Sequence, residues 1–321
     1  MLPLYASSLA LVPLGSGSKG NATYVGDGRR GVLIDCGLSA LQVFKRLEAV
    51  GLGGSTIDAV LITHEHTDHV AAAAILDRKL EAAQGRQVPF YMTQGTFGRL
   101  SDSHRPRQVE VVPTGARIAW QGWTLEAHAI PHDTPEPVAW AVESDGARVG
   151  VITDLGHAPR LMEQLLASLD VAVVEFNHDL QMLMDGSYPW SLKQRIRGRH
   201  GHLSNDQAGE LLVRGASSRL KHLILGHLSE ENNAPDEALR AAEQAVQTLG
   251  RTDVTVHVAE QTSACGPFRV SARPHAVSTP ARRPRAAATA SAEPELLSLW
   301  DAPALAAEPA APDLRDATDA D

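Results

Sequence analysis

The chain is poor in cysteine, in aromatic residues and in long apolar runs. Its two cysteines, Cys36 and Cys265, are far apart and lack metal-finger spacing, so no disulfide framework is expected and a reducing compartment fits. No stretch approaches the ~18–20 apolar residues that span a bilayer, and the N-terminus lacks the basic region of a signal peptide. A net charge of −9 argues against a generic nucleic-acid coat. We therefore expect a cytoplasmic protein that does not contact membranes.

Three imidazoles and a carboxylate fall within six consecutive residues, 64–69. This cluster follows an apolar run at 59–62 and precedes an alanine-rich run at 70–76, which predicts a buried strand turning into a helix. Imidazole is the commonest metal ligand at neutral pH, and aspartate adds a charged oxygen. Because four ligands from so short a turn would crowd one ion, two ions are the simpler interpretation, with His64 and His66 facing one and Asp68 and His69 the other. The alternative is a solvated, histidine-rich turn.

The H-x-H-x-D-H pattern on a strand-to-helix turn resembles the metallo-β-lactamase-fold hydrolases. That superfamily has three further ligands downstream, and His132, Asp154 and His227 each follow an apolar, strand-like run in the expected order. The resemblance implies two divalent metal ions, zinc or manganese. The implied ligands are His64, His66 and His132 for the first ion, Asp68, His69 and His227 for the second, and Asp154 as a bridge. For Asp154 the alternative is a cap on the following helix.

Up to about residue 270 the chain alternates strand-like and helix-like segments. Strands are predicted at 22–25, 31–35, 57–62, 171–175 and, last, 254–258, and strands with glycine-containing turns at 117–130 and 138–142. Helices are predicted at 41–50, 161–169, 206–214 and 236–249. With the resemblance, this order predicts an α/β fold, a four-layer αβ/βα metallo-β-lactamase sandwich of two mixed sheets with helices outside. Residues 1–270 would form this hydrolase domain. Residues 271–321 are rich in alanine and proline without apolar periodicity, which predicts a disordered tail.

Two further residues resemble the catalytic groups of phosphodiesterase members of the superfamily, such as the tRNA 3′-processing enzymes. Glu175 ends a strand, and His202 stands in a turn that opens a helix capped by Ser204 or Asn205. The resemblance implies that His202 protonates the leaving oxygen and that Glu175 orients His202. It also implies that Asp68 orients the attacking hydroxide. Histidine is the obvious proton donor near neutral pH. The alternative for His202 is a helix-start histidine bonded to the backbone.

The segment around these residues gives the most specific resemblance. Its patterns E-x-N-H-D, M-L-x-x-G-x-Y-P and L-K-x-R-I, followed by G-H-L-S-N, are similar to the YycJ/WalJ-type branch, whose members are regarded as 5′-to-3′ exodeoxyribonucleases. Four cations at 193–199 beside two aromatic rings suit phosphates and stacked bases, although a solvated basic helix is the alternative. A Gly/Ser turn at 15–21 could face a phosphate with its backbone amides, or could be an ordinary hairpin turn. The predicted substrate contacts are Ser16, Ser18, Asn21, Asn177, His178, Tyr188, Lys193, Arg195 and Arg197.

One apolar island interrupts the tail at residues 295–301. Leu296, Leu297, Leu299 and Trp300 resemble the short clamp-binding peptides of bacterial replication and repair proteins, with Trp in place of Phe and Leu296 where Gln is expected. This resemblance predicts the replication sliding clamp as a partner, and tethering would raise the local concentration of the protein at DNA. The alternatives are a segment that folds back on its own domain and one without a function.

Together these features predict a metal-dependent phosphodiesterase, specifically a 5′-to-3′ exonuclease on DNA in repair, with a metal-bridging hydroxide as nucleophile. Nucleic acid is the expected partner, and DNA is favoured over RNA. The enzyme alternatives are a cyclic-phosphate phosphodiesterase of the same fold and an RNA-processing nuclease. The non-enzyme alternative is a binding module with a vestigial site.

Overall fold

A computed structural model describes residues 8–273, and two seven-stranded sheets form its centre. The strands are β1 (Ser8–Gly15), β2 (Ala22–Gly26), β3 (Arg30–Ile34), β4 (Thr56–Leu61), β5 (Phe90–Met92), β6 (Val109–Val111), β7 (Arg117–Trp120), β8 (Trp123–Ala129), β9 (Val138–Ser144), β10 (Ala147–Ile152), β11 (Val171–Glu175), β12 (His222–Gly226), β13 (Thr255–Val258) and β14 (Phe268–Ser271). The helices are α1 (Ala40–Ala49), α2 (Thr67–Val70), α3 (Ala73–Gln84), α4 (Gln94–Arg99), α5 (Arg160–Ala167), α6 (Leu180–Asp185), α7 (Trp190–Ile196), α8 (Asn205–Gly215) and α9 (Pro235–Thr248).

Both sheets are mixed. The first has the order β14-β1-β2-β3-β4-β5-β6, and the second has the order β13-β12-β11-β10-β9-β8-β7. Neighbours from β3 to β6 are parallel, as are those from β10 to β13, whereas the remaining pairs are antiparallel. Parallel strands end at a common edge of their sheet, and this edge is where α/β folds collect ligand sites.

Three apolar clusters separate the layers. One lies between the sheets and contains Leu11 and Val32 from the first sheet with Trp140 and Val149 from the second. Another joins the outer face of the first sheet to α1 and α3. The third joins the outer face of the second sheet to α5, α8 and α9. The predicted four-layer αβ/βα sandwich is therefore confirmed for the residues described.

Local sequence explains the elements that position the site. All five residues of β11 are buried, because this strand lies inside the second sheet with a helical layer on one face and the first sheet on the other. Helix α8 follows the basic segment and begins at a capping box. The side chain of Ser204 accepts a hydrogen bond from the backbone amide of Gln207, and the side chain of Gln207 accepts one from the backbone amide of Ser204. This cap fixes the turn that carries His202.

The structure refines the predicted strands in two places. Residues 117–130, predicted as strand with a glycine-containing turn, form the hairpin β7–β8, whose turn contains Gln121 and Gly122 with φ of 47° and 86°. The strand predicted to be last, at 254–258, is followed by β14, which pairs antiparallel with β1. The predicted domain boundary at residue 270 falls within β14.

The predicted tail, with its apolar island and the predicted clamp-binding residues, lies outside the described residues except for its first three positions. Within residues 8–273, no helix combines the length and apolar character that crossing a membrane requires.

Candidate active site

The predicted metal ligands come together where strands of both sheets end. Residues 64–69 follow β4, and the three downstream ligands follow β8, β10 and β12. Four groups each have ligand atoms within 4.8 Å of one another: His64, His66 and His132; Asp68, His69 and His227; His64, His69 and Asp154; and Asp154, Glu175, His202 and His227. The structure thus brings all seven predicted ligands into one cluster, which we call the ligand cluster.

Hydrogen bonds orient four of these imidazoles. In each ring Nδ1 contacts a protein oxygen, which leaves Nε2 for the ligand cluster and fixes one tautomer, as is usual for metal-binding histidines. The contacts of Nδ1 are His64 with Thr63 Oγ1 at 3.0 Å, His69 with Asp35 Oδ2 at 2.8 Å, His132 with the Gly201 carbonyl at 3.1 Å, and His227 with Glu175 Oε1 at 2.9 Å.

Two buried atoms of the ligand cluster have no hydrogen-bond partner among residues 8–273, namely Nε2 of His64 and Oδ2 of Asp154. Buried polar atoms are normally paired, because an unsatisfied one costs about 1–3 kcal/mol. A divalent cation in the cluster would satisfy both atoms. Imidazole and carboxylate donors accept both zinc and manganese, so the residues fit metal binding.

The backbone is unusual at three residues around the ligand cluster. Asp35, Asp154 and His227 have φ of 60°, 60° and 56°, in the left-handed region that residues other than glycine rarely adopt. Each lies within two residues of the end of a strand. Such conformations cost of order 1–3 kcal/mol and occur mainly where the surroundings fix an active-site geometry.

Burial and neighbouring charges set the protonation of the ligand cluster. Burial, together with the nearby imidazoles, lowers the pKa of His64 well below its usual range. Burial also disfavours charge on His69, but the carboxylates of Asp154 and Asp68 outweigh it and raise the pKa of His69. For Asp68, burial acts to raise the pKa, yet His69 and His227 hold the pKa far below its usual value. Asp68 is therefore ionised and His64 neutral, the forms that bind metal, whereas His69 would have to lose a proton on binding it.

Glu175 is fully buried and connects the ligand cluster to His202. Its Oε1 accepts hydrogen bonds from Nδ1 of His202 and of His227, both at 2.9 Å. Its Oε2 accepts from the backbone amides of Leu155 and Leu203 at 2.9 and 3.0 Å. Burial acts to raise the pKa of Glu175, but the two histidines hold it well below its usual range. Both carboxylate oxygens of Glu175 are thus engaged, and the contact with His202 involves Nδ1 of that ring and not Nε2.

A cleft of about 260 Å³ opens beside the ligand cluster. The predicted site residues that line it are His66, Asp68, Asp154, Asn177, Tyr188, Arg195, His202, His227 and Ser18. The other lining residues are Asp133, Leu192, Ile196, Gly201 and Ser229. The predicted substrate contacts outside this lining are Ser16, Asn21, His178, Lys193 and Arg197.

The Gly/Ser turn supports the ligand cluster through its side chains and several of its amides, while Ser18 lines the cleft. The amides of Gly17 and Lys19 donate to side chains at 2.9 Å, and the amide of Asn21 donates to the carbonyl of Asp68 at 2.7 Å. Asn21 Nδ2 also lies 3.1 Å from Asp68 Oδ2, while Ser16 Oγ accepts from the amide of His227 at 2.8 Å. The predicted substrate contacts of Ser16 and Asn21 are thus corrected to a supporting role.

The basic segment is also partly internal. Lys193 is buried, and its Nζ donates to the carbonyls of Met184 and Gly186, both at 2.7 Å. Its charge therefore holds α7 against the end of α6 and does not face the cleft. His178 is buried as well, and burial lowers its pKa to about 4, so it is a neutral interior residue. Arg197 is exposed but lies outside the cleft lining.

Two residues of the site were not predicted. Asp35 ends the apolar run of β3, and its carboxylate contacts both His69 and Thr63. That position, a carboxylate after a buried strand, is the same signal that marks Asp154. Asp133 accepts from Nε of Arg195 at 2.6 Å. Local sequence does not reveal this second contact, because the two residues are far apart in the chain.

Comparisons with known proteins agree with this geometry. Residues 30–227 match the family described as Beta-lactamase superfamily domain. Exodeoxyribonuclease WalJ of Streptococcus pneumoniae serotype 2 (strain D39 / NCTC 7466) is 32% identical over 250 residues, which cover 76% of this chain and 90% of that protein. Ribonuclease Z of Mycobacterium bovis (strain BCG / Pasteur 1173P2) is 30% identical over 197 residues, 51% of this chain and 69% of that protein. The metallo-β-lactamase fold protein YhfI from Bacillus subtilis has a TM-score of 0.60 at 16% identity, over 80% of this chain and 99% of its own.

The structural likeness shows the fold, and the sequence matches show the family. With histidine and aspartate groups placed to bind metal, the chain is a hydrolase, and the names of its relatives support a nuclease. The predicted resemblance is confirmed: the chain belongs to the metallo-β-lactamase superfamily, in its YycJ/WalJ-type branch.

Proposed function

We propose that this chain is a metal-dependent phosphodiesterase that acts on DNA as a 5′-to-3′ exonuclease. Support comes from the similarity to a protein named exodeoxyribonuclease, which extends over 90% of that relative. The direction of degradation and a role in repair come from the branch resemblance alone, and both stay predictions.

The observation that carries the proposal is the pairing of His202 with Glu175. Cleavage of a phosphodiester releases an alkoxide, which needs a proton. Nδ1 of His202 donates to Glu175 at 2.9 Å, so Nε2 is the nitrogen that would carry the proton for transfer when the ring is charged, and this side chain lines the cleft. A general acid in such a position typically accelerates a reaction by about 10²–10⁴-fold.

The ligand cluster supplies the remaining requirements. The proposed ligands are His64, His66 and His132 for one ion and Asp68, His69 and His227 for a second, with Asp154 shared. Divalent ions in such a site activate water as a nucleophile and stabilise negative charge on a phosphate. Asp68 lines the cleft and is held by Asn21, so its carboxylate is fixed where it can orient an attacking water.

End-labelled substrates test the proposal directly. Purified protein with added Mn²⁺ or Zn²⁺ is incubated with single- and double-stranded DNA labelled at either end, and with RNA of the same sequence. Stepwise release of nucleotides from the 5′ end of DNA is expected. His66→Ala should abolish it, whereas His128→Ala removes an imidazole outside the ligand cluster and should retain it. Degradation from the 3′ end, or no cleavage of DNA by the metal-loaded protein, would contradict the proposal.

An RNA-processing nuclease is the second candidate, because ribonuclease Z is 30% identical to about half of this chain. The same assay separates the two, since this candidate predicts cleavage of RNA with little cleavage of DNA. If neither polymer is cleaved, a cyclic phosphate becomes the substrate to test. The sliding clamp as a partner stays a prediction that concerns residues outside the described part of the chain. Fluorescence anisotropy of a peptide covering residues 290–305 with the clamp would test it.

A further inference from the structure

The cleft is lined by side chains of different chemistry. Among the less polar ones, Tyr188 precedes α7, and Leu192 and Ile196 come from α7 itself. Polar residues, Ser18 and Ser229, contribute to the lining elsewhere. The ligand cluster and His202 form the reacting part of the cleft. The hydrolytic chemistry of the ligand cluster does not require an aromatic and two aliphatic side chains at its edge.

These three side chains come from one short segment of the chain and all line the cleft, and we call them the apolar wall. Leu192 and Ile196 are four residues apart on α7 and therefore share one face of the helix. Both are half-buried, as is Tyr188. The buried Lys193, on the same helix, bonds two carbonyls at the end of α6 and so fixes the helix. The wall is therefore held in place before any ligand arrives, which reduces the entropy lost on binding.

We infer that the apolar wall is a nucleobase subsite, which takes the base of the terminal nucleotide while the phosphate on its 3′ side, the scissile one at a 5′ end, meets the ligand cluster. This inference rests on the proposed function. The sugar and phosphate of a nucleotide are polar, so the base supplies the surface that an aromatic ring and two aliphatic side chains can contact. A cleft of about 260 Å³ is at the small end of ligand sites, which suits one nucleotide.

The subsite also restricts the form of the substrate. A base inside a duplex is stacked and paired, and it must leave the stack before a side chain can contact its face. A terminal base on the apolar wall is therefore unpaired. We expect the enzyme to act on single-stranded or frayed DNA ends faster than on blunt duplex ends.

Calorimetric titration of the full-length, Mn²⁺-loaded protein tests the subsite without any cleavage. The probes are 2′-deoxyadenosine 3′-phosphate, called dAMP below, and 2-deoxyribose 3-phosphate, which differ only in the base. We expect dAMP to bind about 5- to 150-fold more tightly, the range that stacking on one aromatic side chain supplies. Leu192→Ala and Ile196→Ala should each reduce this ratio. Trp190→Ala is the matched control, because Trp190 is on the same helix, is 55% exposed and does not line the cleft.

Equal affinities for the two probes, including no binding of either, would overturn the subsite. The subsite would also be overturned if Trp190→Ala reduced the affinity ratio as much as Leu192→Ala and Ile196→Ala do. Tyr188→Ala repeats the test outside the helix, so that unfolding of an α7 variant does not decide the result.

Cleavage of single-stranded DNA with a normal or an abasic 5′ nucleotide then separates the subsite from the proposed nuclease activity. Equal cleavage rates for the normal and the abasic substrate would overturn the subsite but leave the proposed nuclease activity standing. Tighter binding of dAMP without cleavage of any DNA would support the subsite and overturn the proposed nuclease activity.

Discussion

Arg195 and Asp133 form an ion pair in the cleft, with Nε of Arg195 2.6 Å from Oδ2 of Asp133. The other oxygen of Asp133 lies 3.4 Å from Nε2 of His132, a predicted metal ligand. Asp133 therefore holds a guanidinium beside the ligand cluster. Within residues 8–273 the terminal nitrogens of Arg195 make no hydrogen bond, and a planar guanidinium fixed at Nε can still donate to a phosphate.

Replacing Arg195 should weaken DNA binding. Arg195→Ala removes a cation from the cleft, so affinity for single-stranded DNA should fall and the salt dependence of log Kd should become shallower by about one charge. Fluorescence anisotropy over a range of salt concentrations measures both. Arg197→Ala is the matched control, because Arg197 has the same charge, follows the end of α7 and lies outside the cleft lining. Equal losses of DNA affinity in the two variants would show that the overall charge, and not the position of Arg195 in the cleft, determines binding.

The effect of removing His202 should depend on the leaving group. His202→Ala should slow cleavage of DNA by about 10²–10⁴-fold, because its alkoxide leaving group needs a proton. The same variant should cleave bis(p-nitrophenyl) phosphate with a much smaller loss, because p-nitrophenolate leaves without protonation. Steady-state rates on both substrates test this. An equal loss on both would assign His202 to substrate binding or to support of the ligand cluster.

Metal should stabilise the folded domain through His64. Zn²⁺ or Mn²⁺ at 100 times its Kd should add about 2.7 kcal/mol to the free energy of unfolding. In a domain of this size, each kcal/mol of added stability raises Tm by about 2–4 °C. Thermal melts with metal and with chelator measure the shift. His64→Ala should lose most of it, and His128→Ala, outside the ligand cluster, should keep it. A full shift in His64→Ala would place the stabilising ion elsewhere.

Stability at acidic pH should depend on Glu126. Burial acts to raise the pKa of Glu126, but its hydrogen bond to Arg148 and the charge of Arg117 give a pKa below the usual value. A carboxylate whose pKa is lower in the folded state stabilises the fold above its unfolded pKa, about 4.3. This contribution is lost as the pH falls through the folded pKa.

Glu126→Gln should therefore lower the free energy of unfolding near neutral pH. The difference from the unsubstituted protein should shrink as the pH falls from about 6 to about 3. Urea titrations at several pH values measure this difference. Glu48→Gln, at an exposed position of α1, controls for the loss of one carboxylate. A difference that does not change with pH would mean that Glu126 acts through packing and not through its charge.

Apolar pattern was sufficient to predict much of the interior, whereas the ligand cluster was predicted from the family resemblance together with strand-end position. β11 has the predicted bounds because five consecutive residues without a breaker are buried on both faces. Each predicted ligand stands shortly after such a run, but the resemblance supplied the set. The contacts of the basic segment could not be predicted in this way. Lys193 and Arg195 look alike in the sequence, but one is bonded to backbone carbonyls inside the domain and the other lines the cleft. Short strands such as β14 lack a run long enough to be distinguished from a loop.

Pairing of β14 with β1 joins the two ends of the described chain. On the ribosome β1 emerges first, and this edge of the first sheet remains open until residues 268–271 have been synthesised. A polypeptide released before that point would contain every predicted metal ligand and still expose the unpaired backbone groups of β1. Open edges of this kind pair with other chains. Premature termination late in the domain is therefore expected to yield an aggregating product rather than a shorter enzyme.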